Sequence, residues 1–242
     1  MLVPGISGGS IAIILDIYDE LLIRLNNIFT NFKNNFKYLT IVTIGGVIGM
    51  VISSFILDFF IKTIYFELIY LFLGVVTVYL FDTFKKTNKY NLFLKLLFIF
   101  IGFGIGLLIT MIPQNYINFK NEYLTLFILG IFLAVALILP GISVSYVLLI
   151  FGLYSEVIFS IKTFNYLYLL KLGLFLIIGI ILVIKVLYYF IITKKEIVEN
   201  IIGGFILSSI WIIIPKISNY NELIYAFIFI FSGILLRKMV RN

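Results

Sequence analysis

The chain has 242 residues and a net charge of +7; 63% of its residues are hydrophobic and 12% are charged. Soluble domains carry about 25% charged residues, so the composition excludes an ordinary soluble domain and indicates an all-α polytopic membrane protein. The absence of histidine and cysteine excludes disulfides, thiolate nucleophiles and imidazole bases, and no metal or cofactor site is predicted.

The chain opens on a helix-breaking stretch, LVPGISGGS at residues 2–10, and LILPGIS follows at residues 137–143. A helix that starts at Ser or Gly after such a break has unpaired backbone N–H groups, which need an acceptor in hydrocarbon. Such helix starts suit an anion, especially phosphate. The sequence therefore predicts a phosphate site at Pro4, Gly5, Ser7, Gly8, Gly9 and Ser10, together with Pro140, Gly141, Ser143 and Ser145.

The two stretches differ in one respect. SGGS occurs only in the first, whereas the second continues as SVSY. The first is thus the better candidate for close approach of a phosphate to the backbone, and Ser7 and Ser143 are expected to cap the helices that follow.

Six apolar segments are predicted to span the membrane: 38–60, 66–81, 92–111, 167–192, 198–215 and 222–239. Two further apolar stretches, 1–25 and 123–161, contain the helix breakers. Each arm of the second stretch has about 17 residues, or roughly 25 Å of helix. That length is short for a span and indicates a re-entrant helical hairpin with the Pro-Gly pair at its tip.

The two halves of the chain align with each other. The PGIS of residues 4–7 recurs at 140–143, and Tyr18 and Glu20 correspond to Tyr154 and Glu156. Further along, the glycines pair at a slightly smaller offset, Gly49 with Gly179 and Gly74 with Gly204. This pattern predicts an internal duplication, residues 1–115 and 116–242, which together form a single transmembrane domain.

Each unit holds one hairpin and three spans, an odd number of crossings, so the second unit is predicted to be inverted relative to the first. Under this topology eleven basic loop residues lie on one side and four on the other, and the basic side is cytoplasmic. The eleven are Arg24, Lys33, Lys37, Lys85, Lys86, Lys89, Lys194, Lys195, Arg237, Lys238 and Arg241; the four are Lys62, Lys120, Lys162 and Lys216. The positive charge is thereby assigned to membrane loops, and no nucleic-acid partner is predicted.

Several charged residues lie close to the breakers. Asp16, Glu20 and Glu156 are candidates for proton coupling, because buried carboxylates can titrate near neutrality. Arg24 is a candidate phosphate ligand, since a guanidinium binds phosphate in a bidentate manner. The alternative for such residues is a hairpin end that emerges among lipid headgroups. Near span ends, Lys95, Lys171 and Lys185 are predicted to be snorkelling anchors.

The same motifs carry a family resemblance. PGISGGSIAIILDIYDELL resembles the PGxSGGT…GxYe signature of the bacterial polyprenyl-phosphate transporter family, the PopT-like membrane proteins, and LPGISVSYVLLIFGLYSEVI resembles the second signature of that family. GGVIGMVISSF and IIGGFILSSIW also fit its pattern, so the resemblance covers essentially the whole chain. Asp16 stands where the signature commonly has glycine, and Gly152 occupies the matching place in the second copy.

The resemblance implies a multi-pass transporter of the bacterial cytoplasmic membrane that returns undecaprenyl phosphate, the lipid carrier of cell-wall peptidoglycan synthesis, across the bilayer. It also implies a further apolar arm before the first breaker. Met1 stands three residues before Pro4, so the first hairpin is expected to be incomplete or the start truncated.

Two other functions remain open from the residues alone. An ion-coupled transporter of another anionic solute is the main alternative, and a sealed polar cavity would favour it, whereas a hydrophobic portal between spans would favour the lipid. An intramembrane lipid-phosphate enzyme is less favoured, because no histidine activates Ser7. An intramembrane aspartyl protease would need two facing aspartates, and Asp16 and Asp82 form no evident pair. The coupling ion, the direction of transport and the oligomeric state are not determined by the sequence.

Overall fold

A computed structural model describes residues 8–86, 90–117, 121–214 and 220–241, and within these ranges the regular structure is entirely α-helical. This confirms the predicted all-α class. The helices are α1 Gly8–Ile14, α2 Tyr18–Asn26, α3 Phe32–Lys86, α4 Leu92–Met111, α5 Glu122–Ile138, α6 Val144–Ile150, α7 Tyr154–Lys162, α8 Tyr166–Ile213 and α9 Tyr220–Arg241.

Asparagine side chains begin three of the long helices. The Oδ1 atoms of Asn91, Asn121 and Asn165 accept hydrogen bonds from backbone N–H groups in the first turns of α4, α5 and α8, at 2.9–3.3 Å. Each bond satisfies a donor that has no partner within the helix. The polar Asn thus sets the point at which each apolar segment becomes helical.

Helix α3 runs for 55 residues without interruption. The sequence predicted two segments, 38–60 and 66–81, with a connection between them, and that break is wrong for the backbone. The intervening residues, IKTIY at 61–65, include neither proline nor glycine. Nothing in them removes a backbone donor or favours a non-helical conformation.

Helix α8 bends at Lys194, whose φ of −140° and ψ of 43° are not helical, and this confirms the break predicted between residues 192 and 198. The contacts of α5 show how large the bend is. A Cβ atom at Gly179 would lie 2.5 Å from the carbonyl oxygen of Gly130, and one at Gly141 would lie 2.5 Å from that of Phe205. A straight helix would separate Gly179 from Phe205 by about 39 Å, whereas Gly130 to Gly141 spans about 16 Å. The two halves of α8 therefore fold back along α5 and the turn that follows it.

Glycines bring the long helices into backbone contact. At Gly102 of α4 a Cβ atom would lie 2.1 Å from the carbonyl oxygen of Ile201, and at Gly204 of α8 it would lie 2.2 Å from that of Ile99. The same holds for α3 and α9, where Gly74 lies against the backbone of Ile230. Such close packing of small residues is a main source of helix association in membranes, where lipid removes the hydrophobic drive.

The glycines in the N-terminal half of α3 make no such backbone contacts. At Gly45, Gly46 and Gly49 a Cβ atom would meet nothing within 4 Å, and Ile44 and Ile48 are more than half exposed. Gly179, the repeat counterpart of Gly49, packs on α5. Within the described part of the chain, no helix covers α3 in the way that α5 covers α8.

The two short helix pairs have matching local structure. α1 and α2 become α6 and α7 when every bound is moved by 136 residues, from Gly8 to Val144 and from Tyr18 to Tyr154. The second pair is bent by 114°. This agreement extends the sequence alignment to the level of individual helix ends.

The same turn closes α1 and α6. The N–H group of Ile17 donates to the carbonyl of Ala12 at 3.0 Å, and Leu153 donates to Leu148 at 2.9 Å. This six-to-one hydrogen bond requires a left-handed residue just before the donor. Asp16 (φ 57°) and Gly152 (φ 70°) occupy that place. Asp tolerates the left-handed region better than most residues, which explains why it can replace the glycine of the family signature.

Lys95 is not the snorkelling anchor that the sequence predicted. Its side chain is buried, and its Nζ atom lies 3.5 Å from Oε1 of Glu196, which is also buried. The pair joins the first turn of α4 to α8 just after the bend. A buried lysine near a span end needs a partner, because an unpaired buried charge is strongly destabilising.

The turns between α1 and α2 (the first break, at Asp16) and between α6 and α7 (the second break, at Gly152) lie toward opposite ends of α4. Lys195, next to the bend in α8 and to the ion pair at the start of α4, bonds to Asp19 of the first break. Gly152 of the second break lies beside Asn115, which follows the C-terminal end of α4. The α1–α2 turn thus lies toward the start of α4, and the α6–α7 turn lies toward its end.

In the described ranges, Leu92–Met111 and Tyr166–Ile212 are long and apolar enough to cross a membrane, and the bent pair α6–α7 makes a third crossing if it counts as one. α8 alone has 48 residues, about 72 Å of helix against a hydrocarbon core of about 30 Å. Its bend therefore gives room for two crossings. The full count of six spans stays a prediction.

The matched turns predict opposite outcomes for substitutions at Asp16. We expect Asp16→Gly to leave thermal stability unchanged or raised, because glycine adopts φ 57° without strain. Asp16→Ala should lower the free energy of unfolding by about 1 kcal/mol, the usual cost of placing an ordinary residue in the left-handed region. Thermal unfolding in detergent, with Gly152→Ala as the matched destabilising control, measures both. A melting temperature for Asp16→Gly below that of Asp16→Ala would contradict the assignment.

Candidate functional site

The two breaker stretches touch each other. A Cβ atom at Gly9 would lie 3.0 Å from the carbonyl oxygen of Ile138 and 3.3 Å from Cγ of Pro140. Pro140 and Ser10 are fully buried. We call this the motif contact, the place where the start of α1 meets the turn between α5 and α6. Pro4, Gly5 and Ser7 lie outside the described residues.

Glycine is required at position 141 for two reasons. Its φ of 88° is left-handed, and the carbonyl oxygen of Phe205 lies 2.5 Å from where a Cβ atom would be. The Pro-Gly turn is therefore seated against the backbone of the second half of α8. Gly141 fixes the motif contact by packing as well as by conformation.

Two of the serines near the contact, Ser143 and Ser145, are exposed, whereas Ser10 is buried. Ser143 occupies the N-cap position of α6, yet its side chain makes no capping hydrogen bond, so the cap predicted for Ser143 is wrong. The backbone of Ser143 is extended (φ −90°, ψ 125°), as is usual at an N-cap, and the residue is exposed, so solvent or a ligand can take the place of the capping bond. Ser145 and Gly8 are exposed as well, and a Cβ atom at Gly8 would meet nothing within 4 Å.

An acidic cavity of about 140 Å³ lies at the other end of α1. We call it the acidic cavity; its polar lining is contributed by the first break, the C-terminal part of α3 and the α8 bend: Asp16, Tyr18, Asp19, Tyr79, Asp82, Lys195 and Glu199. Its apolar lining includes Ile13 and Ile202, which are both buried. Seven-residue α1 separates this cavity from the motif contact by about 10 Å.

Lys195 links two carboxylates that line the acidic cavity, one on α2 and one on α8. Its ammonium bonds to Asp19 and lies 3.8 Å from Glu199. Partial burial by itself would lower the pKa of Lys195, but hydrogen bonding to Asp19 and the charges of both carboxylates outweigh it and raise the pKa above its ordinary value. Lys195 therefore stays charged at neutral pH.

The structure places the other predicted charged residues outside the acidic cavity. Arg24 pairs with Glu20 at 2.6 Å, donates to Asn35 and stacks 4.2 Å from the ring centre of Tyr38. This network ties α2 to the start of α3. Glu156 is exposed in the first turn of α7. Of the three carboxylates predicted for coupling, only Asp16 lines the acidic cavity; phosphate binding by Arg24 stays a prediction.

Sequence reasoning missed most of the acidic cavity. It found no evident pair between Asp16 and Asp82, whereas the structure brings both to one cavity. The available signal was weak: an i,i+4 pair of Lys195 and Glu199 directly after a predicted break. Nothing local links that pair to Asp16, which lies far away along the chain.

An apolar groove of about 440 Å³ lies along α4 where this helix packs on α8. We call it the α4 groove; it is lined by Phe93, Leu96, Leu97, Ile99, Phe100, Phe103 and Leu207. Most of these side chains are partly or largely exposed. Leu207 stands two residues beyond Phe205, the residue that seats the Pro-Gly turn, so the groove begins close to the motif contact.

Comparison with known proteins gives a family and two relatives. The profile of the undecaprenyl phosphate translocase-like family matches residues 1–228. A polyprenyl-phosphate transporter of Vibrio cholerae serotype O1 is 26% identical over 234 residues, which cover 91% of this chain and 74% of the relative. A polyprenyl-phosphate transporter of Staphylococcus aureus is 28% identical over 230 residues, covering 88% of this chain and 81% of the relative. No solved structure matches.

The surroundings of three glycines predict a ranking of alanine substitutions. Gly141→Ala should be the most destabilising, because the new Cβ meets a backbone carbonyl in a left-handed conformation. Gly9→Ala should cost about 1 kcal/mol, since the neighbouring backbone at 3.0 Å must shift. Gly8→Ala should be neutral, with open space around it. Melting temperatures in detergent test this order, and a Gly8→Ala protein less stable than Gly9→Ala would refute the motif contact.

Proposed function

The chain belongs to the undecaprenyl phosphate translocase-like family, and we propose that it transports polyprenyl phosphate across the bacterial cytoplasmic membrane. The proposed role is return of the undecaprenyl phosphate carrier for reuse in peptidoglycan synthesis. Both relatives are named polyprenyl-phosphate transporters. The structural observation that carries the proposal is the motif contact, where two broken helices meet in an otherwise apolar protein.

The motif contact supplies suitable groups for a phosphate headgroup. The hydroxyls of Ser143 and Ser145 are exposed beside the Pro-Gly turn, and the backbone at Gly8 is unobstructed. Hydrogen bonds from neutral donors to a charged phosphate oxygen contribute more than neutral pairs do, about 1.5–3 kcal/mol each. We assign the headgroup to the motif contact. Arg24 then has a structural role in this proposal, because it pairs with Glu20 and stabilises α2.

The α4 groove favours a lipid over a small anionic solute. Its lining is apolar, and it starts near the Pro-Gly turn on the same half of α8. A polyprenyl chain attached to a headgroup at the motif contact needs an apolar path beside it. A soluble anion would gain nothing from such a groove.

We propose that residues 1–115 and 116–242 are inverted repeats. Two observations support this: α1–α2 and α6–α7 share their helix bounds and their turn, and the two breaks lie at opposite ends of α4. Inverted repeats with broken helices at the centre suit alternating access, because each repeat can open toward one side of the membrane.

We propose a carrier and not an enzyme. Ser143 is exposed, but the chain has no histidine to take its proton, and activation of a serine needs an adjacent base. Asp16 and Asp82 share the acidic cavity with Lys195, about 10 Å along α1 from the proposed headgroup site. They are too far away to act on the phosphate.

Reconstitution in vesicles tests the proposed substrate. Wild-type protein should accelerate transbilayer movement of polyprenyl phosphate and should not take up inorganic phosphate. Gly8→Val should reduce lipid movement at least tenfold without lowering the melting temperature, because the valine side chain meets the headgroup and no protein atom. Ser143→Ala should weaken apparent affinity about five- to thirtyfold, and Ser143→Thr should restore it.

Other results of that assay would overturn the proposal. Uptake of inorganic phosphate without lipid movement would identify a solute carrier. Covalent capture of Ser143 by a phosphonate probe, with complete loss of activity in Ser143→Thr, would identify an enzyme.

The proposed topology places the bend of α8 in the cytoplasm and the end of α7 outside, following the distribution of basic residues. Lys194→Cys should react with a membrane-impermeant thiol reagent only after the cells are opened. Lys162→Cys should react in intact cells. Because the chain has no other cysteine, both readings are free of background, and the reverse pattern would exclude this orientation.

A further inference from the structure

Tyr146 of α6 closes the C-terminal end of another helix. Its hydroxyl shares its proton between the carbonyl oxygens of Thr110 and Ile112, which lie at 2.5 and 2.9 Å. These carbonyls belong to the end of α4, where the last carbonyl groups of a helix have no partner within that helix. Tyr146 follows Thr110 by 36 residues, so one side chain joins α6 to a helix end that is distant in the chain.

The backbone that follows α4 closes the end of α6 in turn. The N–H group of Asn115 donates to the carbonyl oxygen of Leu149 at 3.0 Å, and that of Ile117 donates to Ile150 at 3.2 Å. Leu149 and Ile150 are the last two residues of α6, so their carbonyls also need partners from outside the helix. We call these hydrogen bonds, together with those of Tyr146, the reciprocal cap of α4 and α6.

The reciprocal cap gives α6 a fixed orientation. A helix of seven residues is too short to be stable by itself. The buried side chains of Val147, Leu148 and Ile150 contribute apolar packing, which has no preferred direction. Hydrogen bonds are directional. The reciprocal cap therefore sets the rotation of α6 about its own axis, and Tyr146 is the side chain that contributes to it.

The rotation of α6 decides where two exposed serines lie. Ser143 is the N-cap residue of α6, three positions before Tyr146, and Ser145 directly precedes Tyr146. Residues three apart are neighbours on the surface of a helix. This inference rests on the proposed function, which assigns the lipid headgroup to these hydroxyls. We propose that Tyr146 is a positioning residue, which holds Ser143 and Ser145 toward the phosphate through the reciprocal cap and does not contact the phosphate itself.

The tyrosine is found in the second repeat alone. Ser10 corresponds to Tyr146 when the two halves of the chain are aligned, and Ser10 is buried at the motif contact. There α1 is held by Gly9, which packs on the turn that contains Pro140. The helix that carries the exposed serines is thus the one that has the tyrosine anchor.

A double-mutant cycle separates positioning from general stability. The ligand is farnesyl phosphate, a short polyprenyl phosphate, and its apparent dissociation constant is obtained from the rise in melting temperature that it causes in the full chain in detergent. Tyr146→Phe keeps the ring and removes the hydrogen bond, so it should weaken binding about five- to tenfold. In a Ser143→Ala/Ser145→Ala background the same change should have no further effect, because the groups that it positions are gone.

The matched control is Tyr154→Phe, which changes an exposed tyrosine of α7 and should leave binding unchanged. Equal weakening by Tyr146→Phe in both backgrounds would show that the tyrosine only stabilises the fold, and this would overturn the positioning role. Unchanged binding in the Tyr146→Phe protein would overturn it as well.

A spin label attached at Ser143→Cys tests the orientation of α6 without any ligand. Because the chain has no cysteine of its own, the label attaches at a single place. Tyr146→Phe should increase the mobility of this label, measured from the line width of its electron paramagnetic resonance spectrum. A label at Lys162→Cys, at the end of α7, should not respond. Identical spectra at Ser143→Cys with and without Tyr146→Phe would contradict the inference.

The two measurements separate this inference from the proposed function. If wild-type protein does not bind farnesyl phosphate but the label at Ser143→Cys responds to Tyr146→Phe, the orientation of α6 by Tyr146 stands and the proposed headgroup site is wrong. If wild-type protein binds farnesyl phosphate and the label does not respond, the headgroup site stands and Tyr146 is not a positioning residue.

Discussion

Broken helices inside an apolar protein are the constraint on which this structure depends. Backbone N–H and carbonyl groups freed by a break cannot be left against hydrocarbon, so the breaks must be enclosed by protein or face a polar ligand. The motif contact meets this demand by placing Gly9 against the Ile138–Pro140 turn and Gly141 against Phe205. The backbone of α8 can approach the Pro-Gly turn this closely only because Gly141 has no side chain. The bend at Lys194 in turn lets both halves of α8 reach α5 and α4.

The helix pairs α1–α2 and α6–α7 have matching bounds and the same turn but differ in chemistry. Both use the same left-handed turn, which glycine forms without strain and aspartate forms at a modest cost. In the first copy that aspartate carries a charge into a cavity shared with α3 and α8. In the second copy Gly152 leaves space for Asn115 instead. Aspartate meets this backbone requirement in the first copy and glycine meets it in the second, and only the aspartate brings a charge to the turn.

The three sites differ in chemistry. The α4 groove is apolar, the motif contact offers hydroxyl and backbone groups, and the acidic cavity concentrates negative charge. In the proposed function the lipid phosphate would place its headgroup at the motif contact and its apolar chain in the α4 groove. The motif contact and the acidic cavity lie at opposite ends of α1, about 10 Å apart.

The sequence by itself determined the helical class, the places where helices break and the correspondence of the two halves, because these depend on composition and on local residues. The turn at Pro140-Gly141 and the bend near residue 194 follow from such short-range effects. The arm at 145–161 was expected to be one helix, and this was wrong: it divides into α6 and α7, bent by 114°, because Gly152 adopts a left-handed conformation. Continuity of α3 was missed because residues 61–65, although they include Lys62, contain no proline or glycine that would interrupt a helix. Only the tertiary structure decided that Lys95 is buried against Glu196 and that Asp16, Asp82 and Lys195 share a cavity. Those meetings depend on how α8 folds back after its bend, and that direction is set by glycine contacts between segments distant in the chain, which no local pattern encodes.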